Sequence, residues 1–397
     1  MLFVKTDQLK TGMRLARPIY NKDGVLLYER SSKLTAQGIQ GIKGFGLLGL
    51  FILEPAEPVP PMTQEDILFE RFQTMTVFSL REELNKVKEG KRGPKLQVIV
   101  NNILRRYGHL DKKINFIQNL RSKEDHVYKH ALNTAILSAM MTHVLNVKLE
   151  DKTDTIIAAL VHNVGLLSLP KHLADKELPT EAEQEAMVSY EVAGFELIGR
   201  VFAMEPNIKR ICVQSQRILE GLRRGKEDDK IKTVVIGARV LMVAQTYDMM
   251  TAMHLNGAPV SEVSAIKYLL AHPDVFDPEV VDALIQSIHI LAPGTSVELN
   301  TGEKAIVIRS NDENILRPMV LGFKHNNIMD LLDRAYSDLE VVDIMKTMDN
   351  RCIIDVQTLR EHGFYVDGQD EGEIRTGIQE ENGDVIEVEE YIPGQFF

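Results

Sequence analysis

The chain has 397 residues, of which 44% are hydrophobic and 26% charged, and its formal net charge is -11. This composition is typical of a folded globular protein long enough for two or three domains. The negative charge argues against a general affinity for nucleic acid or anionic membranes, because both rely on clustered Lys and Arg.

Cysteine usage and apolar runs predict where the protein resides. Cys212 and Cys352 are far apart in the sequence, which is typical of a reducing compartment and excludes a disulfide framework. No apolar run approaches the roughly 20 residues needed to cross a bilayer, and the first residues lack the apolar stretch of a signal peptide. We therefore expect a cytoplasmic protein that neither spans nor binds a membrane.

The first third of the chain predicts a small module followed by helices. Residues 1–53 alternate short apolar runs with turn signals around one segment capped by Thr35, as in a small α+β module. EPAEPVPPM, residues 54–62, contains four prolines and predicts a stiff spacer. Residues 63–120 show the apolar spacing of amphipathic helices, broken by GKRGP at 90–94, and form a helical connector.

The remainder predicts a mainly α protein with a short β-rich segment near its end. Residues 121–290 read as helical almost throughout, and Thr180 with Glu183 forms a candidate capping box. Residues 291–323 contain three strand-like runs, the first two joined by Asn300-Thr301-Gly302. Residues 324–397 predict a helix followed by an acidic tail. Long apolar-faced stretches within the helical part cover 131–147, 153–167, 181–203, 207–222, 231–252, 261–272 and 278–289.

Three histidines have spacings that suit metal binding. His126 and His130 are four residues apart, so both lie on one helix face. His162 ends the apolar helical run ALVHNVGLL, but Asn163 follows where an aspartate would complete a metal-binding His-Asp pair. An amide offers only a neutral oxygen to a cation, so the exchange removes ligand charge.

Six motifs occur along the chain in this order: HVYKHALNTA, ALVHNVGLLSLPKHL, TEAEQEAMVSYEVAGFEL, VLMVAQTYDMMTA, FDPEVV and PGTSVELNTGEKAIVI. This series resembles the HD-GYP family of bacterial signalling phosphohydrolases, whose known members hydrolyse cyclic di-GMP. The resemblance covers about residues 121–325, and DQLKTGMRLARPIYNKDGVLLYERSSKLT looks like a module often found upstream in that family. It implies an HD-type helical bundle with two or three iron ions, whose bridging hydroxide attacks the phosphodiester.

Most family positions that bind metal or phosphate are changed in this chain. His130 and His162 match two ligands, and the Gly-Tyr-Pro loop is replaced by LRRGKEDDK. The changed positions, which the resemblance assigns to the site, are Asn163, Leu166, Tyr190, Ser215, Gln216, Arg217 and Gln245. These exchanges remove most of the anionic charge that several cations require. The sequence therefore predicts neither a metal nor another cofactor, with Fe, Mn or Zn as the alternative.

Two positions that the resemblance implies would contact the cyclic dinucleotide are also changed. Where the resemblance implies an arginine and a tyrosine, the chain has His254 and Asn256. Arg217, Arg223 and Arg224 are candidate replacement cations for binding the phosphate, although their positions as exposed charges on a helix and loop explain them more simply. The sequence therefore does not predict binding of a cyclic dinucleotide.

Other motifs of the family are kept. Tyr247, Asp248 and Thr251 match it, and we interpret them as packing residues. Phe276 is also kept, while Asp277 and Pro278 have the pattern of a helix start. The retained motifs indicate that the fold is preserved.

Three hypotheses follow. The first is a catalytically inactive HD-GYP-like signalling protein that binds a protein partner and serves as a scaffold, with a homodimer plausible. The second is a metal-dependent phosphohydrolase with a reduced site of His126, His130 and His162. The third is a metal-free receptor for a cyclic dinucleotide.

Overall fold

The computed structural model describes residues 2–20, 25–53, 63–174, 176, 180–225, 231–253, 259–311, 313–324, 326–344, 364–367 and 375–378. The proline-rich spacer at 54–62, His254, Asn256, Cys352 and most of the acidic tail lie outside these residues. The chain divides into two compact units, Met1–Leu291 with Val342–Asn350, and Ala292–Val341 with Arg351–Phe397. The fold is mainly α, as predicted. None of the described helices is long and apolar enough to cross a membrane.

The first unit begins with short strands around one helix. The strands are β1 (Leu2–Lys5), β2 (Arg14–Leu15), β3 (Ile19–Tyr20), β4 (Leu26–Tyr28) and β5 (Gly49–Leu53), and the helix is α1 (Ala36–Gly44). β5 lies between β1 and β2 in an antiparallel sheet, and β3 pairs with β4. The Thr35 side chain caps α1 by accepting a hydrogen bond from the Gly38 amide, as the sequence predicted. Leu15, Ile42 and Leu50 form the core of this part.

The rest of the first unit is helical. Its helices are α2 (Gln64–Lys88), α3 (Leu96–Tyr107), α4 (His126–Val144), α5 (Leu149–Val161), α6 (Lys171–Ala174), α7 (Glu181–Val201), α8 (Pro206–Arg223), α9 (Ile236–Thr251), α10 (Glu262–Ala271) and α11 (Pro278–Ser287). Short 3-10 turns cover Val164–Ser168 and Ile231–Thr233. α4 is buried on nearly all sides and contacts α2, α5, α9 and α11. The predicted capping box of Thr180 and Glu183 is present, and Asp277 caps α11 with Pro278 in its first turn.

The second unit contains an antiparallel sheet. β6 (Ser296–Leu299), β7 (Lys304–Arg309), β8 (Met319–Gly322) and β9 (Asn327–Asp330) pair in that order. The first three are the strands predicted from the sequence, and Gly302 turns between β6 and β7 with a φ of 76°. β10 (Val341–Ile344) begins at Val341, which is the last residue of the segment Ala292–Val341 of the second unit. A short hairpin of β11 (Phe364–Asp367) and β12 (Arg375–Ile378) follows.

The prediction of a helix after residue 324 is wrong. The structure has β9, a 3-10 turn at Arg334–Tyr336 and β10 in its place. The side chain of Asp330 accepts a hydrogen bond from the Leu332 amide, and that of Asp333 accepts one from the Ala335 amide. Side-chain acceptors of this kind stabilise turns and compete with helix formation.

Candidate functional site

Four charged or titratable side chains meet inside the helical part of the first unit. His130 lies in the second turn of α4, Asp248 lies in α9, and His162 directly follows α5. Arg121 comes from the segment before α4. These helices approach closely because each buries alanines toward its neighbours, namely Ala131, Ala135, Ala139, Ala158, Ala159, Ala238 and Ala244.

Asp248 is the centre of this cluster. One nitrogen of the Arg121 guanidinium donates to both carboxylate oxygens at 2.8 and 2.6 Å, and Nδ2 of Asn133 donates to Oδ1 at 2.8 Å. The side chains of Asp248 and Arg121 are 0% and 4% exposed. Burial alone would raise the pKa of Asp248, but the charge of Arg121 and the contact with His130 hold it well below its usual range. Asp248 is therefore a buried anion, so its interpretation as a packing residue was incomplete.

The two buried imidazoles face each other. Nδ1 of His130 lies 2.6 Å from Oδ2 of Asp248, and Nδ1 of His162 lies 2.8 Å from the Ala159 carbonyl oxygen. Both Nδ1 atoms face acceptors, so both carry hydrogen. The two Nε2 atoms are 3.3 Å apart. Since neutral imidazoles with hydrogen on Nδ1 have none on Nε2, this contact requires one further proton, or a cation, between the two nitrogens. Burial, and after it the charge of His130, lower the pKa of His162 to about 3, so His162 is a neutral imidazole in the folded protein.

The donor set does not fit the two or three iron ions that the resemblance implies. Within the described ranges, no three His, Cys, Asp or Glu side chains are placed to hold a metal ion together. The carboxylate beside the imidazoles is already bound by Arg121 on both oxygens. Several divalent cations need several anionic ligands, which this cluster lacks.

The spacing of the imidazole pair does suit one cation. Metal–nitrogen bonds of about 2.0–2.1 Å in a tetrahedral site place two ligand nitrogens roughly 3.4 Å apart. The observed separation of 3.3 Å is close to that value. Asp248 on Nδ1 of His130 is also the kind of partner that orients metal-binding histidines. His130 and His162 are thus the two residues that would hold such an ion.

His126 does not join the pair. It begins α4, is only partly buried, and its Nδ1 lies 3.0 Å from the Lys123 carbonyl oxygen. Burial lowers the pKa of its imidazole, and the carbonyl contact opposes that shift. His126 therefore serves the local structure at the start of the helix.

Several changed family positions do come together beside His162. Nε2 of Gln245 donates to Oγ of Ser215 at 2.7 Å, and both side chains are buried. One narrow cleft is lined by His162, Asn163, Glu191, Phe195, Cys212, Ser215, Gln216, Leu241 and Gln245. Leu166 and Tyr190 are partly buried outside this lining, and Arg217 is exposed. An uncharged hydrogen bond thus joins two positions that the resemblance assigns to metal ligands.

A close backbone contact fixes the position of the turn after His162. A Cβ at Gly165 would lie 2.1 Å from the Tyr190 carbonyl oxygen, so only glycine fits between the turn and α7. Gly194 of α7 lies against the same turn, because a Cβ there would be 2.7 Å from the Cα of Gly165. This contact brings Asn163 to the same cleft as Glu191.

Glu191 is a site residue that the sequence analysis missed. Nε2 of Gln216 donates to its Oε2 at 2.5 Å. Burial raises the pKa of Glu191 to about 7, with repulsion from Glu220 acting in the same direction. The only sequence signal was its position directly after Tyr190, where the family histidine is lost, and acidic residues on amphipathic helices are usually solvent-facing.

Two of the candidate phosphate-binding arginines form ion pairs with a glutamate of their own helix. Arg223 and Arg224 both pair with Glu220, at 2.7 and 2.6 Å. Arg223 also donates to Oε1 of Gln184 at 2.8 Å. These are exposed ion pairs on one helix end, so neither arginine is directed at the cleft by its contacts.

A chain of buried amides continues outward from Asp248. Nδ2 of Asn133 donates to Oε1 of Gln118 at 2.9 Å, and Nε2 of Gln118 donates to Oγ1 of Thr251 at 2.8 Å. Nε2 of Gln73 donates to Oδ1 of Asn133 at 2.9 Å. This network joins α2, α4 and α9, and it gives the retained Thr251 a polar role beyond packing.

Comparison with known proteins shows what the helical part of the first unit is similar to in sequence. Residues 115–280 match the HD domain family. The cyclic di-GMP phosphodiesterase PA4108 of Pseudomonas aeruginosa is 21% identical over 209 residues, which are 51% of this chain and 49% of that protein. The cyclic di-GMP phosphodiesterase PdeB of Borreliella burgdorferi is 25% identical over 200 residues, which are 48% of this chain and 50% of that protein. The match thus spans about half the length of each relative. Residues 115–280 form an HD domain, and the predicted resemblance of the chain to the HD-GYP family is confirmed.

Proposed function

We propose that this chain is a catalytically inactive HD-GYP-like signalling protein that acts in the cytoplasm by binding a protein partner. The observation that carries the proposal is the buried hydrogen bond between Gln245 and Ser215. It occupies two positions where the resemblance implies charged or imidazole ligands. Amides and hydroxyls satisfy one another in a buried site, whereas unpaired carboxylates there would need cations.

The buried ion pair of Arg121 and Asp248 supports the same proposal. Asp248 is neutralised within the protein and needs no metal ion. Its contact with His130 keeps that imidazole oriented. The helical core would therefore need no metal ion to serve as a binding scaffold, and a second copy of the chain is one partner that we propose for it.

A hydrolysis assay tests the loss of activity. The purified protein is incubated with cyclic di-GMP and Fe²⁺ or Mn²⁺, with PA4108 as the active control. We expect no linear dinucleotide or mononucleotide product under conditions in which the control turns over. Product formation that scales with the concentration of this protein would contradict the proposal.

The imidazole pair favours one further candidate, a phosphohydrolase with a single metal ion. Its support is the 3.3 Å separation of the two Nε2 atoms. His130 and His162 would hold such an ion, and it would supply the acidity that makes a bound water a nucleophile. Titration with Zn²⁺ distinguishes the candidates: one-to-one binding that is lost in His130→Ala and His162→Ala favours this one.

A further inference from the structure

A cavity of about 320 Å³ lies in the first unit, apart from the cleft beside His162. It is bounded by Arg17–Tyr20, by one face of α2 that includes Glu70, and by residues 118–129 before and at the start of α4. Its volume is at the small end of the range for small-molecule sites, about 300–1,000 Å³. The cavity therefore suits a ligand of few atoms.

Much of the cavity wall is apolar, and part of it is aromatic. Tyr20 and Tyr128 contribute rings to it. Leu27, Phe45 and Phe78 also line the cavity and are 40%, 45% and 37% exposed. Scattered exposed apolar side chains are ordinary, but several around one opening are typical of a binding site. An apolar group of a ligand would remove their surface from water.

Two side chains of opposite charge line the same cavity without pairing with each other. They are Arg17, which is partly buried, and Glu70, which is 8% exposed. Among the residues that the structure describes, neither side chain forms an ion pair, and the Glu70 carboxylate accepts no hydrogen bond. The Arg17 guanidinium donates from Nη1 to the Gln118 carbonyl oxygen. Each charge therefore lacks the counter-ion that buried charges normally have.

Burial dominates the electrostatics of both groups. It lowers the pKa of Arg17 and raises the pKa of Glu70, and the charge of each opposes the shift of the other. Both charged forms would gain from a ligand that brings a carboxylate to Arg17 and an ammonium group to Glu70. A ligand of one charge would satisfy only one of them.

Both charged groups are placed to receive such a ligand. The Arg17 guanidinium is held by Gln118 and by the Phe51 ring, whose centroid lies 4.6 Å from its central carbon. A guanidinium fixed in this way can bind a carboxylate through two parallel hydrogen bonds. Of the Glu70 carboxylate, Oε2 is enclosed by protein, so Oε1 is the oxygen available to the ligand.

We propose that this cavity binds a free α-amino acid with an aromatic or large aliphatic side chain. Arg17 binds its carboxylate, and Glu70 binds its ammonium group. The apolar wall around Tyr20, Phe78 and Tyr128 receives its side chain. An α-amino acid carries these three groups on one carbon, so a molecule small enough for the cavity can reach all three. The proposal is independent of whether the chain is an enzyme.

The proposed site is connected to the cluster around Asp248. The carbonyl oxygen of Gln118 accepts from Arg17, and the side chain of Gln118 accepts from Asn133. Asn133 also donates to Asp248. Hydrogen bonds thus join the carboxylate-binding residue to the ion pair beside His130.

Calorimetric titration of the whole chain with L-phenylalanine, L-leucine and L-methionine tests the proposal. We expect at least one of them to bind one-to-one. Absence of binding by all three at millimolar concentration would overturn the proposal.

Three analogues of phenylalanine test each part of the assignment. Hydrocinnamate lacks the ammonium group, phenethylamine lacks the carboxylate, and glycine lacks the side chain. Each should bind at least about tenfold more weakly than the best amino acid, because a charged hydrogen bond or the apolar contact is lost. Equal affinity of hydrocinnamate or phenethylamine would overturn the assignment of a zwitterion.

Variants place the binding in this cavity. We expect Arg17→Gln and Glu70→Gln each to weaken binding of the amino acid by at least about tenfold. Glu65→Gln is the control for Glu70, because Glu65 is on the same helix and pairs with Lys112 on the surface. Arg105→Gln is the control for Arg17, because Arg105 is exposed on α3. Both controls should bind as the unchanged protein does.

A melting curve shows whether each variant folds, and either Arg17→Gln or Glu70→Gln carries the test if the other does not fold. A second readout separates a ligand contact from a structural effect. In Glu70→Gln, phenylalanine should lose its advantage over hydrocinnamate, because the partner of its ammonium group is gone. Unchanged affinity for the amino acid in a folded Arg17→Gln or Glu70→Gln variant would overturn the site.

Discussion

At the scale of single residues, Asp248 holds more of the site together than any other side chain described above. It accepts hydrogen bonds from Arg121, His130 and Asn133. Removing its charge would leave the buried Arg121 guanidinium without its counter-ion. Breaking a buried pair in this way typically costs about 3–5 kcal/mol.

We therefore expect Asp248→Asn to lower the free energy of unfolding by about 3–5 kcal/mol in urea denaturation. Asp282→Asn is the control, because Asp282 is exposed on α11 and accepts a hydrogen bond from Gln286 of the same helix. That change should cost less than about 0.5 kcal/mol. Equal stabilities of the two variants would show that the Arg121 pair contributes little.

His162 gives the protein a defined dependence on pH. Its pKa is about 3 in the folded protein against an ordinary value of 6.5. Between these values the unfolded chain binds a proton that the folded chain does not, so stability is full above 6.5 and falls as the pH is lowered. We expect the free energy of unfolding to fall by up to about 1.4 kcal/mol per pH unit from this residue.

Comparison with His162→Gln isolates that contribution. Urea denaturation of both proteins at pH 7.0, 6.0 and 5.0, with chelator present, measures the two slopes. The variant should lose less stability on acidification than the unchanged protein. Identical slopes would mean that His162 is not the buried neutral imidazole described above.

The sequence reaches these residues only in part. His130 and His162 stood out because they match two ligand positions of the resembled family, and the structure places them in contact. Arg121 and Gln73 gave no signal, because their buried partners, Asp248 and Asn133, lie 127 and 60 positions away in the chain and cannot be read from neighbours in sequence. Their roles depend on which helices meet, and that is a property of the tertiary fold.

At the scale of elements, the contact between the turn Val164–Ser168 and α7 sets the position of the cleft. Gly165→Ala would place a Cβ against the Tyr190 carbonyl oxygen. Overpacking of this kind typically costs about 1–3 kcal/mol. We expect a corresponding loss of stability in thermal or urea unfolding.

Gly44→Ala is the matched control for this element. A Cβ at Gly44, at the end of α1, meets no atom within 4 Å. Alanine there should be neutral or slightly stabilising, by up to about 1 kcal/mol. A Gly165→Ala variant as stable as Gly44→Ala would show that the turn moves freely away from α7.

The sequence predicted helix boundaries best, because the capping residues that mark a boundary lie next to it in the sequence. Thr180 with Glu183 and Asp277 with Pro278 cap helices as the sequence indicated. The segment after residue 324 misled because its apolar residues repeat at helical spacing. Asp330 and Asp333 instead bind backbone amides of turns, and the β-branched Val341 and Val342 lie in a strand.

At the scale of the whole molecule, the mainly α fold and its HD domain were predictable because the family motifs occur in order over a long stretch. The domain limits and the protein partner remain predictions. The cavity beside Glu70 was not predictable, because strands near residue 20, helix α2 and the segment before α4 contribute to it together.

A scaffold acting through a protein partner should have a defined assembly state. The proposed homodimer predicts a molar mass in solution near twice the chain mass of 44.8 kDa, measured by light scattering during size exclusion. A mass that stays at that of one chain over a hundredfold range of concentration would contradict the dimer. In that case the partner in the proposed function would be a different protein.

The metal content of the purified 397-residue chain tests most directly whether it lacks the metal centre. The protein is purified without chelator from cells supplied with iron and manganese, and its metals are measured by elemental analysis beside PA4108 prepared in the same way. Because amides and a hydroxyl stand where charged ligands would be needed, we predict metal well below one ion per chain. Two or more bound iron or manganese ions per chain, with hydrolysis of cyclic di-GMP, would contradict the account.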